Sequence, residues 1–254
     1  MSPTIFITGA TSGFGYAIAR LFAAHQYRMI LTGRRAELLA KVALELERDF
    51  NAQVLTLCFD VRDRKSTDRA VNSMPDEWKS QISILVNNAG LAAGLDLLQD
   101  GNTDDWDQMI DTNVKGLLYV TRAILPFMVA RKQGHIFNIG SLAAKQVYEK
   151  GNVYCASKFA VDALSQGMRI DLLKHHIRVT AIHPGAAETE FSNVRFKGDT
   201  EKAAAVYKGY QPLTAGDIAH TVYYCATLPA HVCINELVIT PTAQANPFYL
   251  DRQQ

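Results

Sequence analysis

Ile5-Phe6-Ile7-Thr8 runs directly into Gly9-Ala10-Thr11-Ser12-Gly13-Phe14-Gly15, and Tyr16-Ala17-Ile18-Ala19-Arg20-Leu21-Phe22 follows at once. A short apolar run, a glycine turn and a helical pattern predict strand, turn and helix. Such a turn brings free backbone N–H groups and the positive end of a helix dipole to one point, which suits a pyrophosphate. Glycine at positions 9, 13 and 15 lets the backbone approach closely. A glycine-rich stretch alone says little. Its place at the first strand-to-helix turn of the chain gives it weight, the alternative being a plain turn.

The same alternation continues. Apolar runs at 28–32, 53–59, 82–86, 135–139, 178–182 and 237–240 predict strands. Helical patterns at 36–50, 104–131, about 152–174 and 217–228 lie between them. Strands this apolar are buried on both faces, so the predicted fold is α/β: a Rossmann-type, doubly wound parallel sheet of about seven strands with helices on both faces. No linker or repeat divides the chain, so residues 1–254 form one domain. The segment 186–210 is poor in strand signals and reads as a cover over a site, and 241–254 as a C-terminal tail.

Composition narrows the function. The net charge is +1 with charges interspersed, so no basic face for nucleic acid is implied. No apolar run reaches the roughly 18 residues needed to span a bilayer, and the opening Met1-Ser2-Pro3-Thr4-Ile5 has no leader pattern. Four scattered cysteines without a C-x-x-C pair predict a reduced, cytoplasmic protein. The seven histidines show no metal-ligand spacing, and no metal is expected.

In an open parallel sheet, ligands meet the C-terminal ends of the strands. After the second strand stand Gly33-Arg34-Arg35, with no carboxylate for a ribose hydroxyl. Arg34 and Arg35 suit a 2′-phosphate, so the expected cofactor is NADP(H). After the third stand Asp60 and Val61; Asp60 either accepts from an adenine amine or caps the helix that begins near Asp63. After the fourth stand Asn87-Asn88-Ala89-Gly90, and after the fifth Ser141. Asn113 falls inside a helical pattern, where its propensity is poor, so it needs a partner, which a water chain could supply. Tyr154 and Lys158 lie four apart on a helix and share a face. A phenol ionises near pH ~10, and a neighbouring ammonium lowers that value, which makes the pair a plausible general acid and base.

Thr8-Gly9-x-x-x-Gly13-x-Gly15, Asn87-Asn88-Ala89-Gly90, Asn113, Ser141, Tyr154-x-x-x-Lys158 and Pro184-Gly185 stand in one order along the chain. In this set the sequence resembles the classical short-chain dehydrogenases/reductases over essentially its whole length. The resemblance implies catalytic roles for four residues. Tyr154 is the general acid in carbonyl reduction; Lys158 lowers its pKa and binds the nicotinamide ribose; Ser141 hydrogen-bonds the substrate oxygen; Asn113 holds a water that links Lys158 to solvent. It also implies cofactor contacts from Gly9, Thr11, Ser12, Gly13, Phe14, Gly15, Arg34, Arg35, Asp60, Val61, Asn87, Ala89, Gly90, Tyr154, Lys158, Pro184, Gly185 and Thr189. A homotetramer pairing the helices at 104–131 and 153–174 is implied as well.

Phe191-Ser192-Asn193-Val194-Arg195-Phe196-Lys197-Gly198-Asp199 and Thr227-Leu228-Pro229-Ala230-His231-Val232 are similar to the NADP-dependent 3-hydroxy acid (serine) dehydrogenases and to the bacterial sulfoacetaldehyde reductases. Both act on a short molecule with an anionic head. Ser141, Tyr148, Tyr154 and Arg195 are the expected substrate contacts, Arg195 because a guanidinium binds oxyanions as a fork. Arg252 could close the pocket of a neighbouring subunit, although disorder or a surface ion pair is the plainer expectation for a tail. The stretch 143–150 is more charged than is usual in this group, and Ala186-Ala187-Glu188-Thr189 is one residue shorter than in its amino-acid-using members. Both departures favour reduction of sulfoacetaldehyde to isethionate over serine oxidation. A cofactor-sensing regulator on the same fold is the reading from another class, but such proteins often lose the Tyr, Lys or Ser, and all three stand here. A reductase of bulky apolar substrates fits poorly with the short, polar 192–197.

Overall fold

In the computed structural model, which describes residues 3–253, the core is one seven-stranded sheet in the order β3-β2-β1-β4-β5-β6-β7, with every pair parallel. The elements run β1 (Thr4–Ile7), α1 (Gly13–Ala24), β2 (Arg28–Gly33), α2 (Ala36–Phe50), β3 (Val54–Cys58), α3 (Arg64–Asn72), the single turn α4 (Asp76–Lys79) and β4 (Ile82–Asn87). They continue through α5 (Thr103–Ile110), α6 (Leu117–Arg131), β5 (Gly134–Ile139), α7 (Asn152–Asp171), β6 (Ile177–Pro184), the short α8 (Phe191–Arg195) and α9 (Thr200–Ala205), α10 (Ala215–Thr227) and β7 (Glu236–Ile239).

Successive strand residues point to opposite faces, and the core divides accordingly. Ile5 and Ile7 of β1 join Phe22 of α1, Leu39 of α2 and Val222 of α10 on one side. Phe6 between them joins Val120 and Ile124 of α6 and Val71 of α3 on the other. All residues of β1 and β5 are buried, whereas the edge strand β7 is partly exposed throughout. Central strands covered on both faces explain the near-continuous apolar runs in the sequence.

The helical pattern at 104–131 is not one α-helix. A π turn, Asp111–Gly116, separates α5 from α6. It adds a residue to one turn and holds Asn113, the residue least suited to a regular helix interior there. Among the described residues, no helix is long and apolar enough to cross a membrane.

The chain leaves β1 toward β2 and β3, then crosses back to lay β4 on the other side of β1. Between the C-terminal ends of β1 and β4 such a reversal opens a crevice, the usual ligand position in this architecture.

Candidate active site

A cavity of about 600 Å³ opens at that crevice. Its walls come from the glycine turn, the ends of β2 through β6, the N-terminal part of α7, the segment 186–210 and the tail.

One end is built for an anion. Gly9 and Gly13 adopt left-handed φ values of 65° and 53°, and Ser12 at the N-cap of α1 makes no side-chain capping bond. The free N–H groups of the helix start are therefore available to a bound oxyanion. Arg35 donates to Thr11 Oγ1 (2.9 Å), Ser12 Oγ (3.1 Å) and Glu190 Oε2 (3.2 Å). Among the described residues, the Arg34 side chain has only a 3.9 Å pairing with Asp60. Asp60 does not cap α3: Arg62 grips it with its side chain and backbone N–H. Burial opposes ionisation, but these bonds hold the Asp60 carboxyl below its ordinary range. Asp63 is the cap, accepting from Ser66 N at 3.1 Å.

Three residues expected at the cofactor or the chemistry do not line the cavity. Asn87 turns its amide into the core, donating to Thr121 Oγ1 (2.8 Å) and to its cross-strand partner Asn138 (2.9 Å). The next residue, Asn88, lines the cavity instead. Its Nδ2 donates to the carbonyls of Thr8 (2.9 Å) and Gly9 (3.1 Å) and ties β4 to the glycine turn. Successive residues of an extended chain point to opposite sides, which separates the two asparagines. Gly15 packs against the turn; a Cβ there would stand 2.3 Å from the Gly9 carbonyl oxygen.

Asn113 is the third. Its Oδ1 accepts from Leu91 N (2.9 Å), and its amide donates to Leu91 O (2.8 Å) and Ser157 Oγ (3.0 Å). Both amide hydrogens are used within the protein, so the side chain has no donor left for a water. It anchors the segment after β4 that carries Gly90, where a Cβ would lie 3.2 Å from Asn113 Oδ1 and 3.5 Å from Lys158 Nζ.

The other end holds the reactive groups. Tyr154 and Lys158 are buried on α7, one turn apart. Lys158 Nζ donates to Ile139 O at 2.9 Å and stands 5.9 Å from the Tyr154 ring centroid. Burial pushes the Lys158 ammonium down to about 8. The Tyr154 hydroxyl is not lowered as the sequence suggested. Burial, then the neighbouring Tyr148, push it well above its ordinary value, while the bond with Ser141 and the charge of Arg195 act the other way. Ser141 follows β5, and its Oγ accepts from Ala143 N at 3.1 Å.

Arg195, at the end of α8, reaches into the same space. Its guanidinium carbon lies 5.5 Å from the Tyr148 ring centroid and 5.8 Å from that of Tyr154. Its Nε is buried without a partner. Among the described residues it enters no salt bridge. Tyr148, Phe191, Tyr207 and Arg195 line the cavity with Tyr154; Phe191 and Tyr207 were not singled out from sequence, where aromatics in an irregular segment carry no periodicity. The tail also meets this wall. Arg252 lines the cavity of its own chain, donating to Lys208 O and to Val206 O (3.0 Å) over the Tyr210 ring.

Residues 3–200 match the sequence pattern of the short chain dehydrogenase family. The chain belongs to that family of oxidoreductases. It is 48% identical over 242 residues to the NADP-dependent 3-hydroxy acid dehydrogenase YdfG of Salmonella typhi, covering 95% of this chain and 96% of that one. Over 254 residues it is 45% identical to sulfoacetaldehyde reductase 2 of Chromohalobacter salexigens, covering 99% and 100%. Among solved structures, the closed form of a serine dehydrogenase complexed with NADP+ superposes with a TM-score of 0.91 at 46% identity, covering 99% of this chain and 100% of that one.

Proposed function

We propose that this enzyme uses NADPH to reduce a small anionic aldehyde to the corresponding hydroxy acid, with sulfoacetaldehyde to isethionate as the leading reaction. The observation that carries the reading is Arg195: a guanidinium over the rings of Tyr148 and Tyr154, with its Nε buried and unpartnered and, among the described residues, no carboxylate paired with it. A cation without a carboxylate partner in a half-buried wall is a ready site for a substrate anion. A sulfonate offers three acceptor oxygens to the fork, and a two-carbon spacing brings the aldehyde to Tyr154.

The crevice fits the cofactor. Arg34 and Arg35 stand where a 2′-phosphate would bind, the glycine turn and the start of α1 receive the pyrophosphate, and Ala89, Gly90, Val61, Pro184, Gly185 and Thr189 flank the remainder. NADPH, when bound, supplies the hydride to the carbonyl carbon. Tyr154 gives its proton to the carbonyl oxygen as negative charge develops there. Ser141 donates a hydrogen bond to the same oxygen. Lys158, carrying a reduced pKa, supports the phenolate that remains. Asn113 holds the Leu91 backbone and thereby the floor beside Lys158.

A 3-hydroxy acid dehydrogenase is the second reading, favoured by the likeness to YdfG and to the serine dehydrogenase. A cytoplasmic homotetramer is part of the proposal; Ile170 on α7 and Leu118 on α6 are exposed apolar residues on the helices that would pair. Initial rates with NADPH on sulfoacetaldehyde, malonic semialdehyde and succinic semialdehyde, with serine oxidation in reverse, test the reading. The highest kcat/KM belongs to sulfoacetaldehyde; a preference for serine or a carboxylate aldehyde selects the second reading, and no turnover of any rejects both.

A further inference from the structure

Behind Ser141, away from the cavity's opening, lies a buried polar group that the chemistry above does not use. His183, the penultimate residue of β6, is fully buried. Its ring fills the space left by Gly140, where a Cβ would stand 2.3 Å from His183 Nδ1. Nδ1 lies 3.4 Å from the backbone nitrogen of Ser141 and 3.2 Å from its carbonyl oxygen. The ring can serve only one of these at a time: a bare Nδ1 accepts from the N–H, and a protonated Nδ1 donates to the carbonyl.

The other ring nitrogen decides between them. Nε2 faces Asp162 Oδ1 at 3.5 Å, and neither atom has another partner. Asp162 pairs with Lys145, whose Nζ lies 2.8 Å from Asp162 Oδ2 and 2.6 Å from Glu236 Oε1. A carboxylate only accepts, so Nε2 carries the ring proton; a bare Nε2 would set two buried lone pairs against each other. Nδ1 is then bare and faces the Ser141 N–H as acceptor. Asp162, His183 and Glu236 are close enough together to hold a metal ion, but the Lys145 ammonium already bonds one oxygen of each carboxylate.

We propose that His183, oriented by Asp162, is a positioning residue that sets the backbone of Ser141 and so the direction of its hydroxyl toward the reacting oxygen. This rests on the role given above to Ser141. Its physical basis is the one seen where a carboxylate selects a histidine tautomer: the carboxylate does no chemistry but keeps the ring's far nitrogen in the required state. Burial, followed by the nearby Lys145, holds the imidazole below its ordinary pKa despite Asp162, Glu236 and the Ser141 backbone.

The test compares His183→Leu, His183→Asn and Asp162→Asn by steady-state kinetics, NADPH affinity and ring ¹⁵N shifts of His183. His183→Leu removes the acceptor, and kcat falls about 10–100-fold, the usual cost of losing such an orienting partner, with NADPH affinity within about twofold of wild type. His183→Asn keeps an acceptor near the Nδ1 position and recovers most of kcat. In Asp162→Asn the amide oxygen stays on Lys145 and its NH₂ faces Nε2. The tautomer then reverses to Nδ1–H, and kcat falls as in His183→Leu. Equal losses in His183→Leu and His183→Asn, an unchanged kcat in His183→Leu, or an Nδ1–H tautomer in the wild type overturns the proposal. Ser141→Ala run alongside separates the two readings: if it is inactive and His183→Leu is unimpaired, only the positioning role fails. The tautomer is read whatever the substrate.

Discussion

The guanidinium carbon of Arg195 stands 5.8 Å from the ring centroid of Tyr154, on a helix that contributes nothing to the sheet. A fixed cation is thereby held a short molecule's length from the proton donor. Substrates with an anion at one end and a carbonyl at the other match this spacing. Replacing Arg195 by Met keeps the bulk and removes the fork. KM for sulfoacetaldehyde should rise about 10–100-fold, in keeping with the loss of a charge-assisted hydrogen-bond pair, while KM for propanal changes little. Equal effects on the charged and neutral aldehydes would remove Arg195 from the anion site.

Arg34 and Arg35 are not equivalent. Arg35 is committed to Thr11, Ser12 and Glu190, whereas the Arg34 side chain has, among the described residues, only the distant Asp60. Arg34→Ala should weaken NADPH by about tenfold or more and leave NADH within about twofold, since only the former carries the 2′-phosphate. Fluorescence titration of both nucleotides reads this directly. Parallel losses would place the phosphate elsewhere.

Lys158 makes a prediction about stability. Its pKa falls from 10.5 to about 8 through burial. Below about 8 the ammonium is charged in both states, and the folded state bears the full cost of burying it. Between 8 and 10.5 the folded state loses its proton first, so the unfolded state binds more protons and stability rises with pH. Relative to Lys158→Met, the nucleotide-free wild type should gain roughly 1–3 kcal/mol between pH 7 and pH 10. Urea unfolding at the two pH values measures it, and a pH-independent difference contradicts the burial account.

Gly15 is structural. A methyl group 2.3 Å from the Gly9 carbonyl oxygen and 2.6 Å from Asn88 Nδ2 cannot fit unless α1 moves away from the turn. Gly15→Ala should cost about 1–3 kcal/mol, as overpacking typically does. It should also weaken NADPH, because the displaced helix start no longer meets the phosphates. Denaturant melts with a parallel nucleotide titration check both; a neutral melt would return Gly15 to the role of direct contact.

Much of this was readable in advance. Near-continuous apolar runs placed the seven strands, and helix 36–50 was predicted to the residue. The motif spacings brought Tyr154, Lys158 and Ser141 to one rim because parallel strands end on one side. What the sequence hid was side-chain direction. Asn87 and Asn88 look alike in a string, but the pleat sends the first into the core and the second to the turn. Asn113 was recognised as unsuited to a helix, yet the π turn that accommodates it, and its bonds to Leu91, depend on contacts 22 residues away. His183 was invisible as a partner of Ser141 because adjacent strands pair residues 42 apart. The tyrosine pKa ran opposite to the local expectation because burial, with Tyr148 beside it, outweighs the Ser141 bond and the Arg195 charge. Arg252 found its place only once the tail had folded back over 206–210.

The central claim is that Tyr154 delivers the proton while the rest of the cavity binds. Tyr154→Phe removes one oxygen and keeps the ring against Phe191. The decisive measurement is its single-turnover rate of NADPH oxidation by sulfoacetaldehyde, alongside the dissociation constant for NADPH. The account predicts a rate lowered by about 10²–10⁴-fold, the usual contribution of a positioned general acid, with NADPH binding unchanged. A rate within a few-fold of wild type would contradict it.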